Sequence, residues 1–162
     1  ETFGLPTTVT NCSNNYGPYQ HAEKFIPTVL NSLMMGEKIP IYGDGQQVRD
    51  WLYVEDHCDA LMCVLDHGVP GESYNIGGNC ELTNLELVQT IFNEVQRLKP
   101  EVLNKSLDGY ISFVEDRLGH DRRYAIDTKK IQTQLGWVPS HDFSEGIAET
   151  MGWYFKDLVC AK

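Results

Sequence analysis

A chain of 162 residues, 41% hydrophobic and 22% charged, can bury one core and has none of the compositional marks of a disordered or low-complexity polymer. Its net charge of −10 excludes an extended basic surface for nucleic acid, and no apolar run reaches the roughly 18 residues that a membrane-spanning helix requires. Five cysteines, an odd number with no C-x-x-C pair, argue against a disulfide framework or a thiolate metal site and predict a reducing, cytoplasmic setting.

No basic segment followed by an apolar stretch opens the chain, so no signal peptide is predicted. Glu1 in place of methionine predicts a start inside a longer protein, or processing. Pro6 to Cys12 reads as a β-strand, since Thr7, Thr8, Val9 and Thr10 favour extended backbone and an Asn-rich turn follows. Lys24 to Met35 reads as a helix with Phe25, Ile26, Val29, Leu30, Leu33 and Met34 on one face, Pro27 in the first turn and Gly36 as the stop. Ile39–Tyr42 and Arg49–Val54 read as short strands around a Gly43-Asp44-Gly45 turn. Glu55 to His67 reads as a helix with Cys58, Leu61, Met62, Val64 and Leu65 inward and two acidic residues at its positive end.

Ser73–Ile76 reads as a strand ended by Gly77-Gly78. Thr83-Asn84-Leu85-Glu86 is a capping box opening a helix to about Leu98, with Leu85, Val88, Ile91, Phe92, Val95 and Leu98 as its stripe. Lys99 to Asp108 reads as a flexible loop, Tyr110–Val114 as a strand, and Asp127–Leu135 as a helix stopped by Gly136. A last helix runs from Phe143 to about Val159 on Ile147, Met151, Phe155 and Leu158. Alternating strands and helices predict an α/β protein. The strands are few and short for a self-contained doubly wound sheet, which predicts one part of a larger fold.

Three segments carry chemistry. Asn11 to Pro18 is either a turn held by Asn side chains on their own backbone or a ligand edge at the carboxyl end of a strand. Gly43 to Arg49 starts as G-x-G but has Val48 where the dinucleotide fingerprint needs glycine, and a strand follows where the fingerprint needs a helix. It is read as a tight turn that can aim Arg49 into a cleft. Arg117, Arg122 and Arg123 concentrate positive charge beside Gly119; they are either a phosphate grip or a solvated loop neutralised by Asp116 and Asp121. His120 has no carboxylate partner fixed by sequence. His21, His57, His67 and His141 show no metal-ligand spacing and read as surface or structural groups. Trp51 and Tyr53 read as strand-face residues.

Asn11 to Tyr19, Ile39 to Gly43, Arg49 to His57, Tyr74 to Gly78 and Asp116 to Asp127, in this order, resemble the TDP-glucose 4,6-dehydratases of the extended short-chain dehydrogenase/reductase family. The resemblance runs from Gly4 to Tyr154. It implies the C-terminal part of a Rossmann-type enzyme: one last-sheet strand near residues 6–12 and, over most of 1–162, the smaller substrate-binding domain, with the NAD-binding part absent. It implies a homodimeric NAD-dependent hydro-lyase that oxidises the sugar at C4, eliminates water across C5 and C6 and returns the hydride to C6. By the same resemblance Asn14 contacts substrate and Asn15 lies against the nicotinamide end of NAD. Lys24 and Phe25 line the sugar–nucleotide path, and Pro40 and Tyr42 bracket the base. Arg49, Asn84 and Arg117 grip the diphosphate, with His120 beside it. Leu118 departs from a common proline. None of the eight tyrosines has lysine four residues on, so the family's Tyr-x-x-x-Lys pair is missing and the chain is expected to be inactive alone. An epimerase, a decarboxylase or a non-catalytic sugar-nucleotide binding module are the alternatives.

Overall fold

Strand β1 (Val9–Cys12) is followed almost at once by β2 (Asn14–Tyr16), then α1 (Phe25–Met35), β3 (Ile39–Tyr42), β4 (Val48–Tyr53) and α2 (Val54–His67). The chain continues through β5 (Ser73–Ile76), β6 (Glu81–Thr83), α3 (Asn84–Leu98) and a 3-10 turn (Pro100–Val102). It ends with α4 (Leu107–Tyr110), β7 (Ile111–Val114), β8 (Arg123–Tyr124), α5 (Lys129–Leu135) and α6 (Phe143–Cys160). This computed structural model describes residues 4–160, with side chains described to residue 156. The predicted α/β class holds.

Strand pairing explains where the site lies. β1 and β5 pair in parallel, Val9 opposite Ser73 through Cys12 opposite Ile76. Ser13 still donates its N–H to the Ile76 carbonyl, and then the chain changes sheets. Asn14 to Tyr16 pairs in parallel with Trp51 to Tyr53 of β4. β4 also runs antiparallel to β6 and parallel to β8, while β3 and β7 make a separate parallel pair. The Asn-rich run is therefore partly strand, which the turn reading did not anticipate. Its backbone pairs with a strand that only the tertiary fold brings alongside. β6 is likewise unanticipated.

Two cores result. The larger one packs Ile26, Val29, Leu30 and Leu33 of α1 against Leu87, Val88, Ile91 and Val95 of α3, all fully buried; Leu87 was not in the predicted α3 stripe, and Leu98, which was, is 37% exposed. Burial of each such side chain stabilises the fold by about 1.5–3 kcal/mol. The smaller core gathers Leu52, Ala60, Val64, Tyr74, Ile76, Ile131 and Trp137 around β5, α2 and α5. Gly78 makes a close crossing possible: a Cβ there would meet the Trp51 carbonyl at 1.7 Å.

Two expectations fail. On α2, Val64 is buried, but Cys58, Leu61, Met62 and Leu65 are not inward: Leu65 is 74% exposed, and the packed face is Asp56, Ala60 and Val64. Asp56 is buried and bonds to Ser140 and His141 rather than merely facing its own helix end. The segment 99–108 is tied down at several points. Lys105 Nζ donates to the Gly36 carbonyl, Lys38 Nζ to the Gly109 carbonyl, and buried Tyr110 bonds Asn104. Tyr110 consequently ends α4 instead of starting a strand. The side chain of Leu158 lies outside the described residues.

Candidate functional site

The sheet change at Ser13 opens a cavity of about 340 Å³ lined by Asn14, Asn15, Gln20, His21, Lys24, Phe25 and Trp51. Diverging strands at their carboxyl ends are where open α/β sheets receive ligands. Asn15 is fixed on three sides. Its Nδ2 donates to the Ser13 carbonyl at 3.0 Å, its Oδ1 lies 2.7 Å from His57 Nδ1, and its carbonyl accepts from Gln20 Nε2 at 2.8 Å. Burial lowers the His57 pKa, which favours a neutral ring carrying its proton on Nδ1 and donating to Asn15. Lys24 is the N-cap of α1, and its ammonium has no carboxylate partner among the described residues.

A second cluster forms at the end of β3. Ile39 and Ile41 are buried, so the alternation puts Pro40 and Tyr42 together on the half-exposed face. The chain then turns at Gly43, whose φ of 58° and proximity to Asp116 admit no side chain: a Cβ would lie 2.7 Å from Asp116 Oδ2. Asp116 organises the cluster. Its Oδ2 accepts from Gln47 Nε2 at 2.9 Å, and its Oδ1 accepts from the Arg117 N–H at 2.8 Å and from His120 Nδ1 at 2.6 Å. The His120 hydrogen bond is the main cause holding the Asp116 carboxyl below its usual range. Asn84 Nδ2 extends the chain of bonds to Gln47 Oε1 at 3.4 Å. The Arg117 guanidinium sits over the Tyr42 ring, 4.4 Å from its centre, and His120 meets the same ring edge-on at 6.5 Å.

The three clustered arginines divide. Arg122 donates twice to Asp44, at 2.8 and 2.9 Å, and Arg123 makes a fork with Glu81 at 2.6 Å on both arms. Arg97 pairs with Glu94. Among the described residues Arg49 and Arg117 have no carboxylate partner: Arg49 donates only to the Val48 carbonyl and Arg117 faces a ring. Strand alternation puts Arg49 on the same face of β4 as Trp51, which lines the cavity.

The residues singled out from sequence thus fall into two groups flanking Arg49: Asn14, Asn15, Lys24 and Phe25 at the cavity, and Pro40, Tyr42, Asn84, Arg117 and His120 at the end of β3. No hydrogen bond or ring contact joins the two groups among the described residues. Asp116 is the carboxylate partner that sequence did not give His120; the spacing of four residues was its only signal. Gln47 and His57 lie inside the Gly43–Arg49 and Arg49–His57 runs but were not read as site residues, and His57 was read as a surface or structural group.

A sequence profile described as GDP-mannose 4,6 dehydratase matches residues 1–150. The chain belongs to that family. Within it, the chain is 52% identical over 153 residues to a dTDP-glucose 4,6-dehydratase of Xanthomonas campestris, covering 94% of this chain and 44% of the relative. The dTDP-glucose 4,6-dehydratase of Bacillus anthracis, solved in complex with NAD, superimposes with a TM-score of 0.84 at 47% identity, over 96% of this chain and 47% of that one. That of Streptomyces venezuelae, also with NAD bound, gives 0.88 at 41% identity, over 98% and 47%. The chain therefore spans under half the length of these relatives. The fold is the Rossmann-type extended dehydrogenase/reductase fold expected from the motifs.

NAD is the cofactor of these structures, but the described residues of this chain do not form a dinucleotide site of their own. No glycine-rich turn here leads from a strand into a helix: Gly43-Asp44-Gly45 leads into β4. Asn15, already bonded to Ser13 and His57, is at most one edge of such a site.

Proposed function

We propose that this chain supplies the nucleotide-diphosphate-sugar grip of an NAD-dependent dTDP-glucose 4,6-dehydratase, with the redox chemistry carried by residues of a longer protein. The observation that carries this reading is the pair of arginines that have no carboxylate partner among the described residues, Arg49 and Arg117, in a chain of net charge −10. Guanidinium forks suit diphosphate oxygens, and leaving two of them unneutralised in so acidic a chain has a purpose if an anion completes the charge balance. Arg117 is held over Tyr42, and Asp116 fixes the backbone beside it, so the fork is positioned before a ligand arrives. Pro40 and Tyr42 offer a flat, half-exposed apolar face for a base next to that charge. The cavity beyond Trp51, with Asn14, Lys24 and Phe25, offers amide, ammonium and ring contacts for a sugar. The dehydratase reading is favoured over epimerase or decarboxylase by the identity of about half with the dehydratases named above.

The chain is titrated with dTDP, dTDP-glucose and NAD while its amide NMR spectrum is followed. dTDP is expected to move resonances around residues 42–49, 84 and 117–120, and NAD to move few. Arg49→Ala and Arg117→Ala are each expected to weaken dTDP about 10- to 100-fold, the range for a lost charge-assisted hydrogen bond. Undiminished dTDP binding in both variants would sink the grip. In the longer protein, formation of a 4-keto-6-deoxy product from dTDP-glucose separates a dehydratase from an epimerase or decarboxylase.

A further inference from the structure

Away from the arginines, Glu55 at the start of α2, His141 before α6 and Glu149 on α6 converge. One ligand atom from each lies within 4.8 Å of the others. From this cluster we propose a site for a divalent transition-metal ion of the zinc type, bound by the His141 imidazole and the Glu55 and Glu149 carboxylates. It stands independently of the nucleotide grip.

Three features beyond proximity support it. First, His141 is oriented by a group that is not itself a ligand. Its Nδ1 lies 2.8 Å from Asp56 Oδ1, and the Asp56 side chain is only 2% exposed. Asp56 also accepts from the Ser140 hydroxyl at 2.6 Å, the Ser140 N–H at 3.1 Å and the His141 N–H at 3.2 Å, so it is held in place and acceptor-only. Nδ1 therefore donates to Asp56 and leaves Nε2 as the free ring nitrogen; the Asp56 hydrogen bond, with the charges of Glu149 and Glu55, raises the His141 pKa, so an ion would bind there in exchange for the Nε2 proton, with the carboxylate–imidazole arrangement that typically backs a metal-bound histidine. Second, Glu149 is oriented in the same way: buried Tyr53 donates its hydroxyl to Glu149 Oε2 at 2.8 Å, and the other oxygen stays available. Third, neither Glu55 nor Glu149 has a lysine or arginine partner among the described residues, whereas Asp44, Glu81 and Glu72 each have one. With Asp56, three carboxylates surround one imidazole, a concentration of negative charge that a divalent ion would offset more fully than the imidazole proton does.

One imidazole nitrogen and two carboxylate oxygens are an N/O donor set that suits zinc, cobalt or nickel better than calcium. Around a tetrahedral ion such atoms stand about 3.4 Å apart at bond lengths near 2.1 Å. Exposed Glu55 and Glu149 side chains need to move about an ångström inward to reach that, a rotamer adjustment. A bound ion would clamp the start of α2 to α6, beside a cavity of about 180 Å³ whose lining includes Pro139, His141, Asp142, Tyr16, Trp51 and Tyr53.

The test is titration of the chelator-treated chain with Zn²⁺ by calorimetry and with Co²⁺ by visible absorption. One ion per chain is expected, with Co²⁺ bands of a nitrogen/oxygen site and no thiolate charge-transfer band, which separates this site from the free cysteines. Glu55→Gln touches no other hydrogen bond and is expected to weaken the ion about tenfold or more; His141→Gln about 100-fold. Tyr53→Phe, which removes only the orienting hydroxyl, is expected to weaken it by less than either. Long-range ¹H–¹⁵N spectra of His141 should shift at Nε2 on zinc addition. A folded chain with no stoichiometric zinc binding overturns the proposal. So does binding that Glu55→Gln and His141→Gln leave unchanged.

Discussion

Asp116 shows how one carboxylate can position several ligand groups. It gathers Gln47, the Arg117 N–H and His120, and through Gln47 reaches Asn84. The charge-assisted bond from His120 is the largest cause of its lowered pKa. A carboxyl whose folded value lies below its unfolded value contributes stability above the unfolded value and loses it as pH falls through the folded one. The loop should therefore stay ordered through the neutral and mildly acidic range and loosen only below pH 3.8, the ordinary Asp value. Carboxyl-detected NMR titration checks this: Asp116 is expected to titrate below 3.8, and His120→Asn to bring the midpoint back towards it. An unmoved midpoint would assign the shift to Gln47 and the backbone instead. From sequence, Arg117 and His120 were legible as ligand candidates through their motif. That Arg122 and Arg123 are occupied by Asp44 and Glu81 was not, because those carboxylates lie 78 and 42 residues away along the chain.

At the scale of elements, local rules worked where one face of a helix met one core. In α3 the Thr83 hydroxyl accepts from the Glu86 N–H at 3.1 Å while Glu86 Oε2 accepts from the Thr83 N–H at 2.8 Å, the reciprocal cap that the four-residue signature predicts. Thr83→Ala should cost about 1 kcal/mol in denaturant unfolding, and Thr83→Ser should restore most of it. The cap also holds Asn84, whose N–H donates to the Gln47 carbonyl, at the head of the helix facing the site. α2 shows where periodicity is insufficient. Two stripes on it satisfy a 3.6-residue repeat: Cys58, Leu61, Met62 and Leu65 on one side, Ala60 and Val64 with Asp56 on the other. Hydrophobicity ranks the first stripe higher. The fold packs the second, because Ala60 and Val64 approach β5 and α5 closely and Asp56 has partners in Ser140 and His141.

For the whole molecule, the apolar side chains left outside are as informative as the core. Val9 on β1 is 54% exposed, and β1 has a β partner on one side only among the described residues. Leu61, Met62 and Leu65 add an apolar strip on α2. An unpaired edge and exposed apolar groups promote association. The chain on its own is expected to self-associate as its concentration rises, and Val9→Lys to reduce this in analytical ultracentrifugation; equal behaviour of both would mean the edge is protected. What the sequence by itself determined is local: the α/β alternation, helix caps and stops, the ordered motifs, and with them the family and the candidate ligand residues. These depend on neighbours within a few positions, where backbone preference and side-chain period act directly. The tertiary structure alone decided the sheet change at Ser13, the packed face of α2, the partners that occupy Arg122 and Arg123, and the meeting of Glu55, His141 and Glu149. Each depends on segments distant in sequence, and pairing across such distances is set by the competition of all faces and charges for one another in the folded chain.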